Sequence, residues 1–433
     1  MNEKNINPLI RILNSKNYGF DDELNSLLSF DSRQSKILFE KVETIIDSVK
    51  KNGDKALIEY SSKFDNYIVS SISELEVSKE TLKNAYSTIS FSDKSALNTA
   101  ADRIFRYHEH QVLNNYSYQD EYGSEISMRV LPIERVGIYV PGGTAAYPSS
   151  VLMNAIPAKV ANVKEIVMVV PSPKGELNPM VLAAAHLTGV HRVFKIGGAH
   201  AIAALAFGTE KIPKVDKIVG PGNAYVAEAK KQVYGLVGVD MVAGPSEILI
   251  VCDGTTNPDW VALDLFSQAE HDESAQSILL TTDKEFLNQV YSSIEKLLPI
   301  MERKSVIEKS LKNRGALILV DNLTKACELA NLIAPEHLEL SVENSRSWAK
   351  LITNAGSLFL GRYSSESLGD YCAGPNHVLP TSGSARFSSG LSVYDFKKRM
   401  SVISVSEKGA KALGRVASTL ANGEKLSAHA LAA

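Results

Sequence analysis

Four residues of types that bind metal ions are scattered over the second half of the chain. Gln268 and His271 lie three residues apart on a helix predicted over 257–271, so their side chains share one face. Asp370 lies in a predicted loop, and His429 lies four residues before the C-terminus. Two imidazoles, a carboxylate and an amide oxygen form a donor set that suits Zn²⁺ and leaves room for a substrate. The spacing alone leaves a second interpretation open, in which both histidines are ordinary surface residues.

An adjacent carboxylate and imidazole, Glu336 and His337, form a second candidate for chemistry. Pro335 disfavours the helical conformation at Ala334, so the pair is expected in a loop between a helix and a strand. A carboxylate beside an imidazole can exchange protons near neutral pH. Such dipeptides are also common in purely structural settings, and a second one occurs at 270–271, to whose carboxylate we assign no role.

Three glycine-containing turns each follow a predicted strand, at residues 140–144, 196–199 and 220–223. Turns of this kind gather at the carboxyl edge of a parallel sheet, where helix N-termini favour an anionic group such as a pyrophosphate. The sequence contains no complete G-x-G-x-x-G motif, because Tyr225 occupies the third glycine position, and no P-loop lysine pattern. On their own, the glycines fit a dinucleotide site and ligand-free tight turns about equally well.

The elements that must position these residues change in type near residue 135. Before it the chain reads mostly as helix, and Val42, Ile45, Ile46 and Val49 follow the helical period. After it, two series of β-branched runs alternate with helical stretches, which is typical of parallel sheets covered by helices on both faces. The predicted strands are 135–140, 165–170, 192–196, 216–219, 247–252, 277–281 and 316–320, and the predicted helices are 149–161, 179–187, 200–207, 257–271, 285–299 and 322–333. Each series is too short for a full six-stranded dinucleotide-binding fold, so we expect two incomplete α/β layers.

The composition argues against several functional classes. A chain of 433 residues exceeds the usual size of one domain, so two or more cores are expected. A net charge of −3, without clusters of Lys or Arg, argues against nucleic-acid and membrane partners. Three scattered cysteines and a polar N-terminus without a signal sequence favour a reducing, cytoplasmic setting.

These segments together resemble the histidinol dehydrogenase family from about residue 35 to the C-terminus. The similarity runs in one order through residues 135–143, 197–199, 219–225, 243–247, 267–271, 334–338, 369–371, 374–378 and 426–429. Several blocks in one order at compatible spacing are far more specific than any single block. The resemblance implies oxidation of L-histidinol to L-histidine through bound L-histidinaldehyde, with reduction of two NAD, as the last step of histidine biosynthesis.

The resemblance also implies a role for each matching position. Glu336 is expected to activate the water that attacks the aldehyde, and His337 to remove protons in both oxidation steps. The expected ligands of one Zn²⁺ per subunit are Gln268, His271, Asp370 and His429. The positions expected to contact the substrate are Ser246, Gln268, His271, His337, Asp370, His377, Glu424 and His429. Those expected to contact NAD are Tyr139, His200 and Asn223.

One of these positions departs from the family pattern. The family usually has a glutamine directly after the glycine turn at 197–199, where this chain has His200. A neutral histidine still offers one hydrogen-bond donor and one acceptor. We therefore expect NAD binding to persist with altered affinity or pH dependence.

The fold of the family implies two incomplete Rossmann-like domains with parallel sheets and a tail exchanged between the subunits of a homodimer. In that arrangement, Glu424 and His429 complete the site of the partner subunit. The expected boundaries are 1–32 for a helical N-terminal segment, 33–138 with 247–329 for a first α/β domain, 139–246 with 330–390 for a second, NAD-binding domain, and 391–433 for the tail.

Three other interpretations are open at this point, the last of which is an anion-binding α/β module without a metal. A related zinc and NAD dehydrogenase for another small alcohol, such as a sulfonated diol, would keep the zinc ligands and change the contacts to imidazole. His377 and Glu424 match the family pattern and favour histidinol. A non-catalytic zinc-binding protein is the second alternative, and the presence of both Glu336 and His337 argues against it.

Overall fold

The computed structural model describes residues 8–29, 33–142, 146–242 and 244–433. Its strands are β1 (Arg11–Asn14), β2 (Glu76–Val77), β3 (Tyr116–Gln119), β4 (Glu125–Pro132), β5 (Arg135–Tyr139), β6 (Glu165–Val169), β7 (Arg192–Phe194), β8 (Lys217–Val219), β9 (Gly238–Val239), β10 (Glu247–Cys252), β11 (Gln276–Thr281), β12 (Gly315–Leu319), β13 (His337–Ser341), β14 (Ser357–Leu360) and β15 (Lys397–Ser404).

The α-helices lie mostly between these strands and at both ends of the chain. They are α1 (Phe20–Leu28), α2 (Arg33–Asn52), α3 (Asp54–Asp65), α4 (Lys79–Thr88), α5 (Phe91–Glu109), α6 (Pro148–Val160), α7 (Pro179–Thr188), α8 (Gly198–Phe207), α9 (Ala224–Val233), α10 (Pro258–Ala269), α11 (Lys284–Leu297), α12 (Lys304–Arg314), α13 (Leu323–Ile333), α14 (Ser345–Trp348), α15 (Glu366–Tyr371), α16 (Glu407–Gly423) and α17 (Ser427–Ala432). Among the described residues, no helix has the length and apolar character that spanning a membrane requires.

Two six-stranded sheets share one topology. Sheet I has the order β2-β7-β6-β5-β8-β9, and sheet II has the order β1-β12-β11-β10-β13-β14. Without the first strand of each, both sheets run 3-2-1-4-5 in their own chain order, and all of these neighbours are parallel. This is the order of a Rossmann-type sheet that lacks its sixth strand. The predicted α/β fold with parallel sheets is confirmed.

The central strands are apolar because helices cover both faces of the sheets. Every residue of β10 and of β11 is buried, which explains the continuous apolar runs in the sequence. On sheet I, helices α4 to α7 cover one face, and α2, α3, α8 and α9 cover the other. The predicted amphipathic helix is confirmed, since Val42, Ile45, Ile46 and Val49 are buried on α2.

Each sheet also contains an edge strand from a distant part of the chain. β1 pairs in parallel with β12, and β2 pairs antiparallel with β7. These strands have only four and two residues, and neither is fully buried. Such short segments carry little periodicity, so the sequence pattern did not predict them. The N-terminal segment, expected to be helical, therefore places a strand before its first helix.

The pairing of the strands differs from the expected domain grouping. β13 and β14 lie in the segment 330–390, which we grouped with 139–246, yet they continue sheet II beside β10. Helices α2 to α5 lie in the segment 33–138, which we grouped with 247–329, yet they cover sheet I. The reason is that the apolar faces of these elements match the neighbouring sheet, whatever their separation along the chain.

The C-terminal tail forms an arm with a third sheet. β15 pairs antiparallel with β4 over its whole length, and β4 also pairs with β3. Ser406 Oγ donates a hydrogen bond to Tyr122 O (2.7 Å), which joins the start of α16 to the hairpin of β3 and β4. α17 packs against α16. The tail expected from residue 391 thus contains the strand β15 and the helices α16 and α17.

Candidate active site and metal centre

A group of buried polar side chains lies at the amino edge of sheet II. β10 begins at Glu247 and β13 begins at His337, on neighbouring strands, and Gln268 lies in the last turn of α10. Helix α13 ends at Ala334 in the left-handed conformation (φ 50°), after which the chain enters β13. This abrupt change from helix to strand fixes Glu336 and His337 at the edge of the sheet, as the proline in the sequence predicted.

His337 is buried between hydrogen-bond acceptors on both sides of its ring. Its Nδ1 donates to the carbonyl oxygen of Glu247 (3.0 Å), and its Nε2 lies 3.2 Å from Asp370 Oδ1. Burial alone would lower the pKa of His337, but the carboxylates of Glu336, Asp370 and Glu366 outweigh burial and raise this pKa to about 10. His337 therefore carries a proton on Nε2 until the charge of Asp370 is engaged by another partner.

Glu336 is a buried carboxyl group with a raised pKa. Its Oε2 accepts the backbone N–H of Glu247 (2.9 Å) and lies 3.7 Å from Nδ1 of His337. Burial raises the pKa of Glu336 to about 8, although the charge of His337 opposes the shift. A carboxyl group with this pKa can take up and release a proton near neutral pH, as a general base must.

Gln268 has a buried amide oxygen that is suited to bind a ligand. Its Nε2 donates to Glu366 Oε1, while its buried Oε1 has no hydrogen-bond partner among the described residues. A buried amide oxygen without a partner is unfavourable unless a ligand binds it. Nearby, ligand atoms of His337, Glu366 and Asp370 all lie within 4.8 Å of one another. The oxygen and nitrogen donors gathered here fit a divalent metal ion such as Zn²⁺.

Two of the predicted ligands occupy different local structures from those expected. Helix α10 ends at Ala269, so His271 lies in the turn beyond it instead of sharing a helix face with Gln268. The backbone N–H of His271 donates to Gln268 O (3.0 Å), which keeps the two residues close together. Burial lowers the pKa of His271 against the opposing charge of Asp370, so the ring is held in the neutral form that a metal requires. Asp370 lies in the short helix α15 and not in a loop.

The remaining predicted ligand, His429, lies on the C-terminal arm and not in this group. His429 is exposed on α17, and Glu424, a predicted substrate contact, is exposed where α16 ends. Three of the four predicted ligands therefore surround the site at the edge of sheet II, and the fourth is presented on the surface of the arm.

Glu366 belongs to this site and was not predicted. It is buried at the first position of α15, four residues before Asp370, so both carboxylates face the same side. Ser267 Oγ donates to Glu366 Oε2 (2.5 Å), and burial raises the pKa of Glu366 to about 8. The i, i+4 spacing of the two carboxylates was the available signal, but this six-residue helix shows no apolar periodicity.

The predicted substrate contacts His377 and Ser246 lie beside the same site. His377 Nδ1 donates to Asp370 O (3.0 Å), and its buried Nε2 has no partner among the described residues. Ser246 directly precedes β10. His337, Asp370 and His377 line a cavity of about 320 Å³, with Phe359 and Leu379 in its apolar wall. This volume is large enough for a small amino alcohol.

The predicted cofactor contacts lie instead at the carboxyl edge of sheet I. Tyr139 ends β5, and its hydroxyl accepts the N–H of Gly198 (3.1 Å). Asn223 caps α9, because its Oδ1 accepts two N–H groups of the first turn (3.1 and 3.2 Å). β5 and β8 are neighbours from opposite halves of the strand order, which is where sheets of this topology bind nucleotides. Residues 143 and 144 of the predicted first turn lie outside the described residues.

His200 is buried behind this edge. Its ring packs against the stacked rings of Tyr60 and Phe64, with ring centroids 5.4 and 5.8 Å away. Burial lowers the pKa of His200 to about 3, so the ring is neutral at physiological pH. Neither ring nitrogen has a hydrogen-bond partner among the described residues. This environment argues against the pH dependence that the sequence suggested for NAD binding at this position.

Comparisons with known proteins agree over almost the whole chain. The family model described as "Histidinol dehydrogenase" matches residues 30–433. The chain is 59% identical over 414 residues to a histidinol dehydrogenase of Dechloromonas aromatica (strain RCB), covering 96% of each chain. It is 58% identical over 421 residues to one of Neisseria meningitidis serogroup A, covering 97% of this chain and 98% of the relative. Its fold matches a crystal structure of histidinol dehydrogenase from Elizabethkingia anophelis with a TM-score of 0.90 and 39% identity, covering 98% of this chain and 97% of the other.

Proposed function

The chain belongs to the histidinol dehydrogenase family, and on that premise we propose that it oxidises L-histidinol to L-histidine with two NAD, as the last step of histidine biosynthesis. The observation that carries the proposal is the buried cluster at the amino edge of sheet II. There Glu336 and His337 adjoin the unpartnered oxygen of Gln268 and a cavity of substrate size. The relatives named above carry the same activity in their names.

The donor set at this cluster supports a zinc site. Gln268, His271 and Asp370 would hold the ion in one subunit, together with His429 of the partner subunit. Gln268 Oε1 is buried without a partner, and His271 is held neutral by burial. A bound Zn²⁺ would supply a fixed positive charge that orients the imidazole and amino nitrogens of histidinol.

The two acid–base residues then divide the proton transfers. A cation held by Asp370 would weaken the hold of that carboxylate on the Nε2 proton of His337, and the neutral ring would accept the hydroxyl proton of the alcohol. NAD would accept the hydride in each of the two oxidations. Glu336, with its pKa raised by burial, deprotonates the water that adds to the aldehyde. The buried setting of both residues keeps bulk water and the reactive aldehyde apart.

The carboxyl edge of sheet I supports the assignment of NAD. The turn at 220–223 and the positive end of α9 suit a pyrophosphate, and Tyr139 fixes the neighbouring turn through Gly198. The three cysteines, Cys252, Cys327 and Cys372, are free thiols. A cytoplasmic setting is consistent with them.

An exposed apolar surface on the arm supports a homodimer with an exchanged tail. Leu413, Val416 and Leu420 repeat along α16 and are exposed by 42, 55 and 64%. A row of exposed apolar side chains on one helix face is typical of a surface that binds another chain. The arm also presents His429 at the surface, so a second copy can reach it.

Mixing two inactive variants tests the exchange directly. Homodimers of His337→Asn and of His429→Asn should both be nearly inactive. If the tail is exchanged, each mixed dimer has one intact site, and random mixing should restore about a quarter of the wild-type activity. If His429 serves its own subunit, both sites of a mixed dimer are damaged and the mixture stays inactive.

The activity itself is tested by the amount of NADH formed per L-histidinol consumed at limiting substrate. A ratio near two that falls with a chelator and returns with zinc is the expected result. If zinc-loaded protein formed no NADH from histidinol, the substrate assignment would be wrong. The same assay with a sulfonated diol would then separate a related dehydrogenase from a non-catalytic zinc protein.

A further inference from the structure

A buried ion pair lies behind the turn at 220–223, far from the catalytic cluster. The side chains of Lys230, on α9, and Asp240, directly after β9, are only 2 and 1% exposed. Burying two charges is unfavourable unless their geometry is good and further hydrogen bonds satisfy them. The hydrogen bonds that this pair makes therefore indicate what it holds in place.

Both members of the pair bind the backbone of Gly220. The N–H of Gly220 donates to Asp240 Oδ2 (2.8 Å), and Lys230 Nζ donates to the carbonyl oxygen of Gly220 (3.0 Å). Asp240 is itself fixed, because its Oδ1 accepts the N–H of Met241 (2.7 Å) and its own N–H donates to Ile218 O (3.2 Å). The backbone N–H and C=O of Gly220 are thus bound by side chains from two different parts of the chain.

Gly220 needs this restraint because of its conformation and its position. Its φ is +110°, and an added Cβ would lie 2.1 Å from the carbonyl oxygen of Tyr139, so only glycine fits here. Glycine is also the residue with the greatest backbone freedom. Three residues later Asn223 caps α9, so the orientation of Gly220 determines how the chain enters that helix.

We propose that the buried Lys230–Asp240 pair is a positioning device for the cofactor: by holding Gly220, it fixes the turn at 220–223 and the start of α9 against the phosphates of the dinucleotide. Lys230 belongs to α9 itself, so the pair ties the body of the helix to its own entry turn. The inference rests on the proposed function, in that NAD binds at this edge of sheet I.

Steady-state kinetics of the zinc-loaded enzyme separate positioning from general stability. Lys230→Met and Asp240→Asn should each raise the KM for NAD about tenfold or more. The KM for histidinol, the kcat at saturating NAD and the zinc content should each stay within about twofold of wild type. Lys217→Met is the matched control. It removes an ion pair from the other end of β8, where Lys217 Nζ binds Asp395 (3.1 Å), and should leave the KM for NAD unchanged.

Each remaining outcome is decisive. If the variants melt at lower temperature but keep the wild-type KM for NAD, the pair is only structural and the proposal is overturned. If the KM values for NAD and histidinol rise together, the effect is not specific to the cofactor and the proposal is also overturned. If Lys230→Met does not fold, Asp240→Asn decides, because it keeps the size of the side chain and removes the charge that holds Lys230 against Gly220. An unchanged Kd for NAD in that variant, measured by calorimetry, overturns the proposal.

Failure of the proposed function gives a different result. In that case the wild-type enzyme itself forms no NADH from histidinol.

Discussion

Sheets I and II have the same strand order, yet their functional residues lie at opposite edges. In sheet I, Tyr139 and the turn at 220–223 lie at the carboxyl edge. In sheet II, Glu247 and His337 begin their strands, so the catalytic cluster lies at the amino edge. The same strand order therefore positions backbone turns at the carboxyl edge of sheet I and a cluster of polar side chains at the amino edge of sheet II.

The difference follows from the helix ends that each edge collects. At the carboxyl edge of a parallel sheet the following helices begin, and their free N–H groups and positive dipole ends suit an anion. At the amino edge the preceding helices end, and their free carbonyl groups and negative dipole ends suit a cation. Helices α10 and α13 end beside Gln268 and Glu336, where the cluster has gathered metal-binding and acid–base side chains. On the proposed function, sheet I would bind NAD through its backbone, and sheet II would act through its side chains.

The largest effects are expected from substitutions in the side-chain site of sheet II. His337→Asn should lower kcat for both histidinol and histidinaldehyde by about 10² to 10⁴, because general acid–base catalysis contributes that much.

Glu336→Gln should lower the rate of aldehyde oxidation more than that of alcohol oxidation. Because burial raises the pKa of Glu336 to about 8, its base form increases as the pH rises through that value. Aldehyde oxidation should therefore increase with pH in the wild type, and this rise should vanish in Glu336→Gln.

The second Glu-His pair in the chain provides the control. Glu270→Gln alters a half-buried carboxylate beside His271 to which no acid–base role is assigned, and it should leave kcat within about twofold. Stopped-flow assays that start from histidinol and from histidinaldehyde measure the two steps separately. Intact aldehyde oxidation in Glu336→Gln would show that the water is activated by another group.

A smaller effect is expected from the residue that orients Gln268, a proposed zinc ligand. Glu366 accepts the N–H of Gln268 and so directs the amide oxygen of Gln268 away from itself. Glu366→Gln offers this amide group a second, competing orientation, and zinc affinity should fall about 10- to 100-fold, as for other residues that orient ligands. Ser267→Ala removes the hydroxyl that bonds the other oxygen of Glu366 and Asp264 O, leaves the bond between Glu366 and Gln268 in place, and should have a weaker effect. Competition with a chromogenic chelator measures both values, and equal zinc affinity in all three proteins would contradict the role of Glu366.

What could be predicted from the sequence differs between the two sites for a physical reason. The turns of sheet I follow directly after apolar strands, so local patterns were enough to find them. The cluster of sheet II joins Gln268, His337 and Asp370, which the strand order β11-β10-β13 brings together across long stretches of chain. Spacing along the chain does not contain that order, so only the resemblance to a family predicted the cluster. Glu366 escaped both approaches, since it belongs to no quoted motif and to no periodic segment.

In sheet I, where binding depends on the backbone, side-chain truncation should have a modest effect. Asn223→Ala removes the cap of α9, which should lower the free energy of unfolding by about 1 kcal/mol. The KM for NAD should rise several-fold while kcat stays nearly constant, because the N–H groups of the turn remain available. Asn223→Ser, which can still cap the helix, should recover most of the affinity. A large fall in kcat in Asn223→Ala would mean that this residue acts in the chemical step, and the contrast between the two sheets would then fail.

The smallest effect is expected at His200, although the sequence there departs from the family. Its ring is neutral at physiological pH, because burial lowers its pKa to about 3, and it packs against Tyr60 and Phe64 behind the turn. His200 therefore loses its proton well below neutral pH. Its charge does not change between pH 6 and 9. His200→Gln, which installs the usual residue of the family, should change the KM for NAD by less than about threefold. The pH dependence of that KM between pH 6 and 9 should be the same in both proteins. A bend in the wild-type profile near pH 6.5 that disappears in His200→Gln would instead show that the imidazole ionises beside the cofactor. A side chain of sheet I would then take part in binding as directly as the backbone does.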